Sequence, residues 1–261
     1  MSRSGSKRAR ALADRNTLIG FSQLGVLFLM LLSGVLVGFS EIQKRKTIRM
    51  VAFGDSITAT RKGVDQVFAQ RLPDLLRKKF ILEVSNAGVG SSHSGTIHDN
   101  AVAKVRHARD RFEEEVLAYN PDLVTIGFGT NDAYIDSKTP DGASRLTLDQ
   151  YRNNLVYMIT ELQKRKIKVI LIAPNPLSDP RPEFQNQRLF QYVKVVRALA
   201  KEYRTGLADN YRLFMNYGRK HGDYARLLLD GVHPNDEGHR LIADNLAKQM
   251  RRVIKRHKFR N

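Results

Sequence analysis

The residues with the clearest chemical potential are a serine, an aspartate and a histidine in two short motifs. Gly54-Asp55-Ser56-Ile57 directly follows an apolar run at residues 48–53, and Asp230-Gly231-Val232-His233 lies near the end of the chain. A serine hydroxyl becomes a useful nucleophile only when a base within hydrogen-bond reach takes its proton. Histidine can be that base, and an aspartate can orient its ring and stabilise the imidazolium. The two motifs therefore predict a hydrolase.

Two further motifs also follow apolar runs and could stabilise a developing negative charge. In the run Asn86-Ala87-Gly88-Val89-Gly90-Ser91, a glycine can bring a backbone N–H close to a reacting carbonyl. In Gly129-Thr130-Asn131-Asp132, the amide of Asn131 is a neutral donor that does not titrate. Such donors are what an oxyanion hole requires. Together the four motifs supply a nucleophile, a base, an orienting acid and oxyanion donors, as acyl transfer needs.

Each motif taken alone has a simpler structural explanation. Ser56 could cap a helix, the glycine-rich run could be a flexible turn, and Asn131 could form an Asx turn. Asp55 and Asp132 are expected to support their loops rather than to catalyse. The order of the motifs and their common position after apolar runs favour the functional interpretation.

The pattern of apolar residues predicts the framework that positions these motifs. Short apolar runs alternate with longer amphipathic stretches, which is typical of βαβ units and of a parallel sheet covered on both faces. The predicted strands are 48–53, 81–85, 123–128, 167–173 and 205–208, and the predicted helices are 64–80, 101–119, 148–166 and 187–203. A last helix is predicted after His233, with Pro234 in its first turn. The carboxyl ends of parallel strands share one edge, so the motifs are expected to meet there.

These motifs resemble the sequence blocks of SGNH hydrolases, the GDSL esterase/lipase superfamily. The matching residues are Phe53-Gly54-Asp55-Ser56-Ile57-Thr58, Gly129-Thr130-Asn131-Asp132 and Asp230-Gly231-Val232-His233-Pro234, and the resemblance covers roughly residues 47–252. It implies a three-layer α/β/α sandwich around a mostly parallel, five-stranded sheet of the flavodoxin-like kind. It also implies a catalytic triad of Ser56, His233 and Asp230, an oxyanion hole of Ser56, Gly90 and Asn131, and no cofactor or metal.

One position departs from the pattern of that superfamily. In many relatives a glycine stands five positions after the asparagine of the second block, where this chain has Ser91. Gly90 stands one position earlier and is assigned the role of second oxyanion donor, with the N–H of Ser91 as the alternative.

The N-terminal part of the chain differs from the rest in composition. Residues 1–15 form a basic tail, residues 16–40 contain no charged side chain, and residues 41–46 form a basic linker. About 20 apolar residues suffice for a helix to cross a bilayer. Residues 16–40 therefore predict either a transmembrane signal-anchor, with residues 47–261 as the hydrolase domain outside the cytoplasm, or a signal peptide that is cleaved to release a secreted enzyme.

Composition excludes several other classes of protein. The chain of 261 residues has no cysteine, so a disulfide framework, a thiolate nucleophile and a cysteine zinc site are ruled out. Of the net charge of +18, residues 1–46 and residues 241–261 each carry +6. Since the excess lies mostly at the two ends, it favours attraction to anionic lipid over nucleic-acid binding. A basic surface that only keeps the protein soluble explains the charge equally well. His93, His98, His221 and His239 show no metal-ligand spacing with an acidic partner.

The four motifs favour a membrane-anchored or exported serine esterase, and the resemblance to the superfamily implies short-chain O-acyl substrates such as acetyl esters of carbohydrate. Two loops that follow strands, residues 132–147 and 174–186, are expected to choose the substrate. A lysophospholipase or thioesterase is the first alternative, although the second loop has few large apolar residues for a long acyl chain. A non-catalytic surface-binding protein on the same scaffold is the other alternative. The sequence sets neither the natural substrate nor the oligomeric state.

Overall fold

The computed structural model describes residues 45–100 and 102–256. Along the chain, β1 (Lys46–Gly54) is followed by α1 (Phe68–Leu76), β2 (Phe80–Gly88), α2 (Ala108–Phe112) and a π-helical turn (Glu113–Leu117) that continues α2. Next come β3 (Leu123–Gly127), α3 (Leu148–Lys164), β4 (Lys168–Ala173) and α4 (Glu183–Glu202). The last elements are β5 (Gly206–Asp209), α5 (Asn210–His221), a 3₁₀ turn (Ala225–Leu227) and α6 (Asp236–Arg256).

The five strands form one sheet in the order β2-β1-β3-β4-β5. Strand β1 pairs in parallel with β3, β3 with β4, and β4 with β5. In the register of the first pair, Gly54 lies opposite Gly127, so both strands end at the same edge. That edge carries the segments after Gly54, Gly88, Gly127 and Ala173, as the alternation of runs predicted.

Helices cover both faces of the sheet, because consecutive side chains of its strands are apolar and so both faces are apolar. On β1, Val51 and Phe53 are buried in one cluster, and Ile48, Met50 and Ala52 are buried in the other. The first cluster contains residues of α2, α3 and α4, and the second contains residues of α1, α5 and α6. This is the expected three-layer α/β/α sandwich. The predicted helix at residues 16–40 lies outside the described residues.

Several predicted boundaries were wrong. The helix expected at 64–80 is only Phe68–Leu76, and the helix expected at 101–119 begins at Ala108. The backbone N–H of His107 there donates to the Asp110 carboxylate at 2.8 Å, which fixes the start of α2. Helix α5 was not predicted, because it follows β5 without a loop; Asp209 caps it by accepting from Arg212 N at 3.0 Å.

The final helix also starts later than expected. Pro234 is not in its first turn but forms an isolated β-bridge with Leu228. Asn235 precedes the helix, and its side-chain oxygen accepts from the backbone N–H of Gly238 at 3.0 Å, as a capping residue does. In the part of the chain that the structure describes, no helix combines the length and the apolar character needed to cross a membrane.

Candidate active site

Ser56 lies in a tight turn directly after β1. Gly54 is required there, because a Cβ atom at this position would stand 2.1 Å from Thr58 Oγ1 and 2.8 Å from the carbonyl oxygen of Gly127. The carbonyl oxygen of Asp55 accepts from the N–H groups of Thr58 and Ala59 at 3.1 and 3.0 Å. The turn therefore closes tightly and leaves Ser56 at the edge of the sheet.

The structure brings Ser56, His233 and Asp230 into one hydrogen-bonded chain. Ser56 Oγ lies 2.9 Å from His233 Nε2, and His233 Nδ1 lies 2.7 Å from Asp230 Oδ2. A carboxylate can only accept, so Nδ1 carries the proton and Nε2 can accept the serine proton. This is the arrangement that a general base needs before it activates a hydroxyl.

The loop that carries Asp230 and His233 is held by its own backbone. Asp230 Oδ1 accepts from Val232 N at 3.1 Å and from His233 N at 2.9 Å. Gly231 adopts a positive φ of 77°, and a Cβ there would lie 2.4 Å from the carbonyl oxygens of Ser178 and Asp179. Only glycine fits this conformation and this close approach without strain.

The pKa values of the two titratable partners move in the directions that suit a base and its orienting acid. Partial burial raises the pKa of Asp230, but hydrogen bonds from the backbone and the ring of His233 outweigh this and lower it to about 2. Burial lowers the pKa of His233, the hydrogen bond to Asp230 opposes this, and the positive charges of Arg61 and Arg181 lower it further. His233 is therefore neutral, and able to accept a proton, at neutral pH.

The turn after β2 presents two backbone N–H groups beside Ser56. Within the described residues, neither the N–H of Gly90 nor that of Ser91 donates a hydrogen bond. Ser91 has a φ of 62°, a conformation that favours glycine. A Cβ on Gly90 would meet nothing within 4 Å. The glycine-like conformation therefore falls at Ser91, the position where many relatives carry glycine, and not at Gly90.

Asn131 is fixed by hydrogen bonds at both ends of its amide. Its Nδ2 donates to the carbonyl oxygen of Ser92 at 3.1 Å, and its Oδ1 accepts from Arg145 Nη1 at 3.4 Å. Arg145 is itself held by Asp136 at 2.8 Å. The second Nδ2 hydrogen remains available, so Asn131 can offer it to an oxyanion.

Asp55 and Asp132 are buried beneath the site. Asp55 accepts from Ile57 N and Asp132 from Ser94 N, each at 2.9 Å. Burial raises the pKa of Asp55 to about 7 and that of Asp132 to about 6. Neither carboxyl contacts His233, and their hydrogen bonds support the loops that carry Ser56 and Asn131.

Arg111 is a supporting residue that the sequence did not reveal. Its guanidinium is buried against the Phe53 ring, 4.4 Å from the ring centroid. It donates to the carbonyl oxygens of Gly54 at 2.8 Å and Ala87 at 2.7 Å, and it pairs with Glu115 at 2.6 Å. Arg111 thus joins the carboxyl ends of β1 and β2, just before the turns of Ser56 and Gly90.

A cavity of about 520 Å³ opens at Ser56 and His233. Its wall combines small and apolar residues with three arginines and contains no acidic residue; the lining residues are Ser56, Ala59, Thr60, Arg61, Gly90, Ser91, Thr130, Asn131, Tyr134, Arg145, Leu177, Arg181, Val232 and His233. Arg145 and Tyr134 come from the loop at 132–147 and Arg181 from that at 174–186. Nothing in the sequence distinguished these arginines from the many other basic residues of the chain.

The other histidines of the described residues lie apart from this cavity. His93 and His107 are buried and stacked, with ring centroids 3.4 Å apart, and each accepts a backbone N–H at its Nδ1. His239 is buried and accepts from Phe68 N at 3.2 Å. His98 and His221 are exposed. No cluster of side chains suited to a metal ion occurs among residues 45–100 and 102–256.

The fold and the hydrogen-bonded serine at this edge are those of an SGNH hydrolase. Residues 52–241 match the family model described as the GDSL-like Lipase/Acylhydrolase family, and the chain belongs to that family. The predicted class, a carboxylic ester hydrolase that acts on acyl esters, is confirmed.

Three relatives illustrate the range of the similarity. The chain is 29% identical to the uncharacterized lipoprotein YqeF of Bacillus subtilis, over 76% of this chain and 87% of that protein. It is 30% identical to an acetylxylan esterase of Geobacillus stearothermophilus, over 56% of this chain and 67% of that protein. The solved structure of another acetyl xylan esterase is 30% identical and aligns with a TM-score of 0.61, covering 77% of this chain and 98% of that one.

Proposed function

We propose that the protein is a serine esterase that removes short acyl groups, above all acetyl, from a carbohydrate ester. The observation that carries the proposal is the chain of contacts from Ser56 Oγ to His233 Nε2 at 2.9 Å and from His233 Nδ1 to Asp230 at 2.7 Å. The similarity to two acetylxylan esterases supports the acetyl group and the carbohydrate.

The reaction proceeds in two halves. His233 takes the proton of Ser56, whose Oγ attacks the ester carbonyl, while Asp230 holds the ring and stabilises the imidazolium. His233 then protonates the departing alcohol, which leaves an acyl group on Ser56. A water molecule, deprotonated by His233, attacks the acyl carbon and releases the acid and the free serine.

The oxyanion of each tetrahedral intermediate is stabilised by the N–H of Ser56, the N–H of Gly90 and the amide of Asn131. The N–H of Ser91 is the alternative to that of Gly90, and its left-handed backbone supports it. Preorganised donors of this kind stabilise the transition state without reorganisation during the reaction.

A small acyl group fits the walls of the cavity better than a long chain. The apolar part of the wall is limited to Ala59, Leu177, Val232 and the ring of Tyr134. A lysophospholipase would need a longer apolar groove, and a binding protein would not need the aligned Ser56, His233 and Asp230.

The proposed reaction can be tested with p-nitrophenyl esters of increasing chain length. The full chain in a neutral detergent is compared with Ser56→Ala, and thermal melting checks that both are folded. We expect hydrolysis that is fastest with acetate and is lost in Ser56→Ala. Activity that survives in Ser56→Ala would refute the nucleophile, and a maximum at eight carbons or more would refute the acetyl preference.

We further propose that the enzyme is held at a membrane by residues 16–40, with residues 47–261 as the hydrolase domain outside the cytoplasm; release after signal cleavage is the alternative. The uncharged stretch at 16–40 and the similarity to a lipoprotein support the anchor. Immunoblotting of membranes washed with carbonate should find the intact chain in the pellet. A shortened, fully soluble product would favour cleavage and secretion instead.

A further inference from the structure

We propose that the substrate of this esterase carries an anionic group, a carboxylate or a phosphate, on the alcohol side of the ester, and that Arg181 and Arg61 bind it. This inference rests on the proposed esterase function and specifies its substrate class. During hydrolysis the anion is not consumed: the acyl C–O bond breaks, and the anion leaves with the alcohol.

Arg181 lines the cavity without a hydrogen-bond partner of its own. Its Nε is buried, and within the described residues its guanidinium makes no hydrogen bond or ion pair. Only its backbone is held, by the bond from Arg181 N to the carbonyl oxygen of Ser178 at 2.9 Å. A buried donor without a partner costs free energy that a suitable ligand would recover.

Arg61 faces the same cavity from the segment after Ser56. Its Nε is also buried and unpaired. Among residues 45–100 and 102–256 its one ionic contact, from Nη2 to Asp230 Oδ2, is 3.7 Å long, beyond hydrogen-bond distance. Asp230 also accepts from His233, so Arg61 shares this carboxylate with the imidazole.

Arg145, which also lines the cavity, and Arg188, on α4, are examples of arginines with a structural role. Arg145 is bound to Asp136 and Asn131, and Arg188 donates to the carbonyl oxygen of Gly142 and to Ser144 Oγ. Their guanidinium groups are occupied by the protein. Arg61 and Arg181 differ from them in this respect, and both act on His233, whose pKa their charges lower.

The chemistry of the guanidinium group defines the ligand. Its planar set of donors matches the oxygens of a carboxylate or a phosphate in a bidentate manner, and such bonds are stronger than those to neutral groups. An ester of a neutral alcohol would leave both arginines unsatisfied. An ester whose alcohol part bears an anion would pair them and would also be attracted into the cavity.

The test compares three acetyl esters of similar size on the full chain in neutral detergent. They are 4-acetoxybenzoate, 4-acetoxyphenyl phosphate and the uncharged 4-acetoxybenzamide. We expect kcat/KM for at least one anionic ester to exceed that for the amide by about 10- to 100-fold at low salt, with the advantage shrinking as salt rises. The ester that is preferred tells whether the anion is a carboxylate or a phosphate.

Variants then assign the preference to the arginines. Arg181→Met should reduce the ratio of kcat/KM between anionic and neutral ester at least 10-fold, and Arg181→Lys should restore part of it. Arg226→Met removes the same charge from an exposed position outside the cavity and should leave the ratio unchanged. An unchanged ratio in Arg181→Met would overturn the inference.

A measurement on the unmodified protein covers the case in which the variants do not fold. Inhibition of p-nitrophenyl acetate hydrolysis by 4-hydroxybenzoate or 4-hydroxyphenyl phosphate is compared with inhibition by 4-hydroxybenzamide. At least 10-fold stronger inhibition by one of the anions is expected, and equal inhibition by all three overturns the inference. If none of the three esters is hydrolysed in a Ser56-dependent way, the proposed esterase function itself is refuted, whatever the preference for an anion.

Discussion

Two of the cavities formed by the described residues are basic and lie at opposite edges of the sheet, and their cations differ in burial and in position. The catalytic-edge cavity, described above, lies beyond the carboxyl ends of the strands and contains Arg61, Arg145 and Arg181. The other, of about 600 Å³, lies at the amino ends of β4 and β5 and is lined by Lys166, Lys168, Arg204 and Arg252 among other residues. We call it the opposite-edge cavity.

The cations of the opposite-edge cavity have an explanation within the fold. Lys166 and Arg204 follow the ends of α3 and α4, where the carbonyl groups of a helix favour positive charge. Both residues are exposed, and both adopt a positive φ, 60° for Lys166 and 52° for Arg204. In the catalytic-edge cavity Arg181 precedes a helix and has a buried, unpaired Nε. The comparison separates exposed cations at helix ends, which the fold explains, from a buried and unpaired guanidinium, which points to a ligand.

The largest expected difference between the two cavities concerns catalysis itself. Replacing His233 with Gln removes the base that activates Ser56, so kcat/KM for p-nitrophenyl acetate should fall by about 10⁴-fold or more. The matched change Lys166→Gln in the opposite-edge cavity should alter it less than twofold. Steady-state kinetics on both variants would test this. Comparable losses of kcat/KM in His233→Gln and Lys166→Gln would show that the two cavities do not differ in their importance for catalysis.

A smaller effect is expected from the oxyanion donor. Asn131→Ala should lower kcat by about 10²–10³-fold with little change in KM, because the donor acts on charge that develops in the transition state. Arg145→Met removes only a hydrogen bond that holds Asn131, so it should lower kcat by a smaller factor. A loss in Asn131→Ala that appears mainly in KM would place Asn131 in substrate binding and outside the oxyanion hole.

The pH dependence should sharpen the comparison further. His233 must be neutral to act as base, and burial together with Arg61 and Arg181 lowers its pKa from the ordinary value of 6.5. The acidic limb of kcat/KM should therefore have its midpoint below pH 6.5. Arg181→Met removes a nearby positive charge and should move the midpoint upward, whereas Arg252→Met should not. A downward shift in Arg181→Met would contradict this electrostatic account.

The smallest predicted effect is on stability and is confined to the opposite edge. Lys166 has a left-handed backbone conformation, which costs about 1–2 kcal/mol for a residue with a side chain. Lys166→Gly removes this cost, but the greater flexibility of glycine in the unfolded chain offsets part of the gain. The free energy of unfolding should rise by about 0.5–1 kcal/mol. Urea denaturation would measure it, with Lys164→Gly, inside α3, as a control that should destabilise.

The sequence predicted the elements whose signal is local. The runs at 48–53, 123–128 and 167–173 became β1, β3 and β4, because continuous apolar residues between two helical layers can hardly form anything else. The residues of the four motifs were predicted to share one edge of the sheet, and the structure places them there. Helix α5 was missed because no turn residue separates it from β5.

The features that were missed depend on contacts between distant parts of the chain. Arg111 looks like an ordinary charge in a polar stretch, and only the packing of α2 against β1 and β2 buries it. The same is true of Arg181, whose loop meets the segment of His233 through the bond from Ser178 N to the carbonyl oxygen of Gly231 at 2.9 Å. The turn at Gly90 and Ser91 was recognised, but its backbone conformation required the structure.

The separation of Ser56 from His233, 177 residues along the chain, has a consequence for biosynthesis. The nucleophile leaves the ribosome early, whereas its base emerges when most of the chain has been made. A nascent chain that stops before His233 carries Ser56 without any means of activating it. With Ser56 and His233 in their proposed roles, esterase activity is expected only once the chain has been made past residue 233 and has folded, and a covalent serine probe added during translation should leave shorter nascent chains unlabelled.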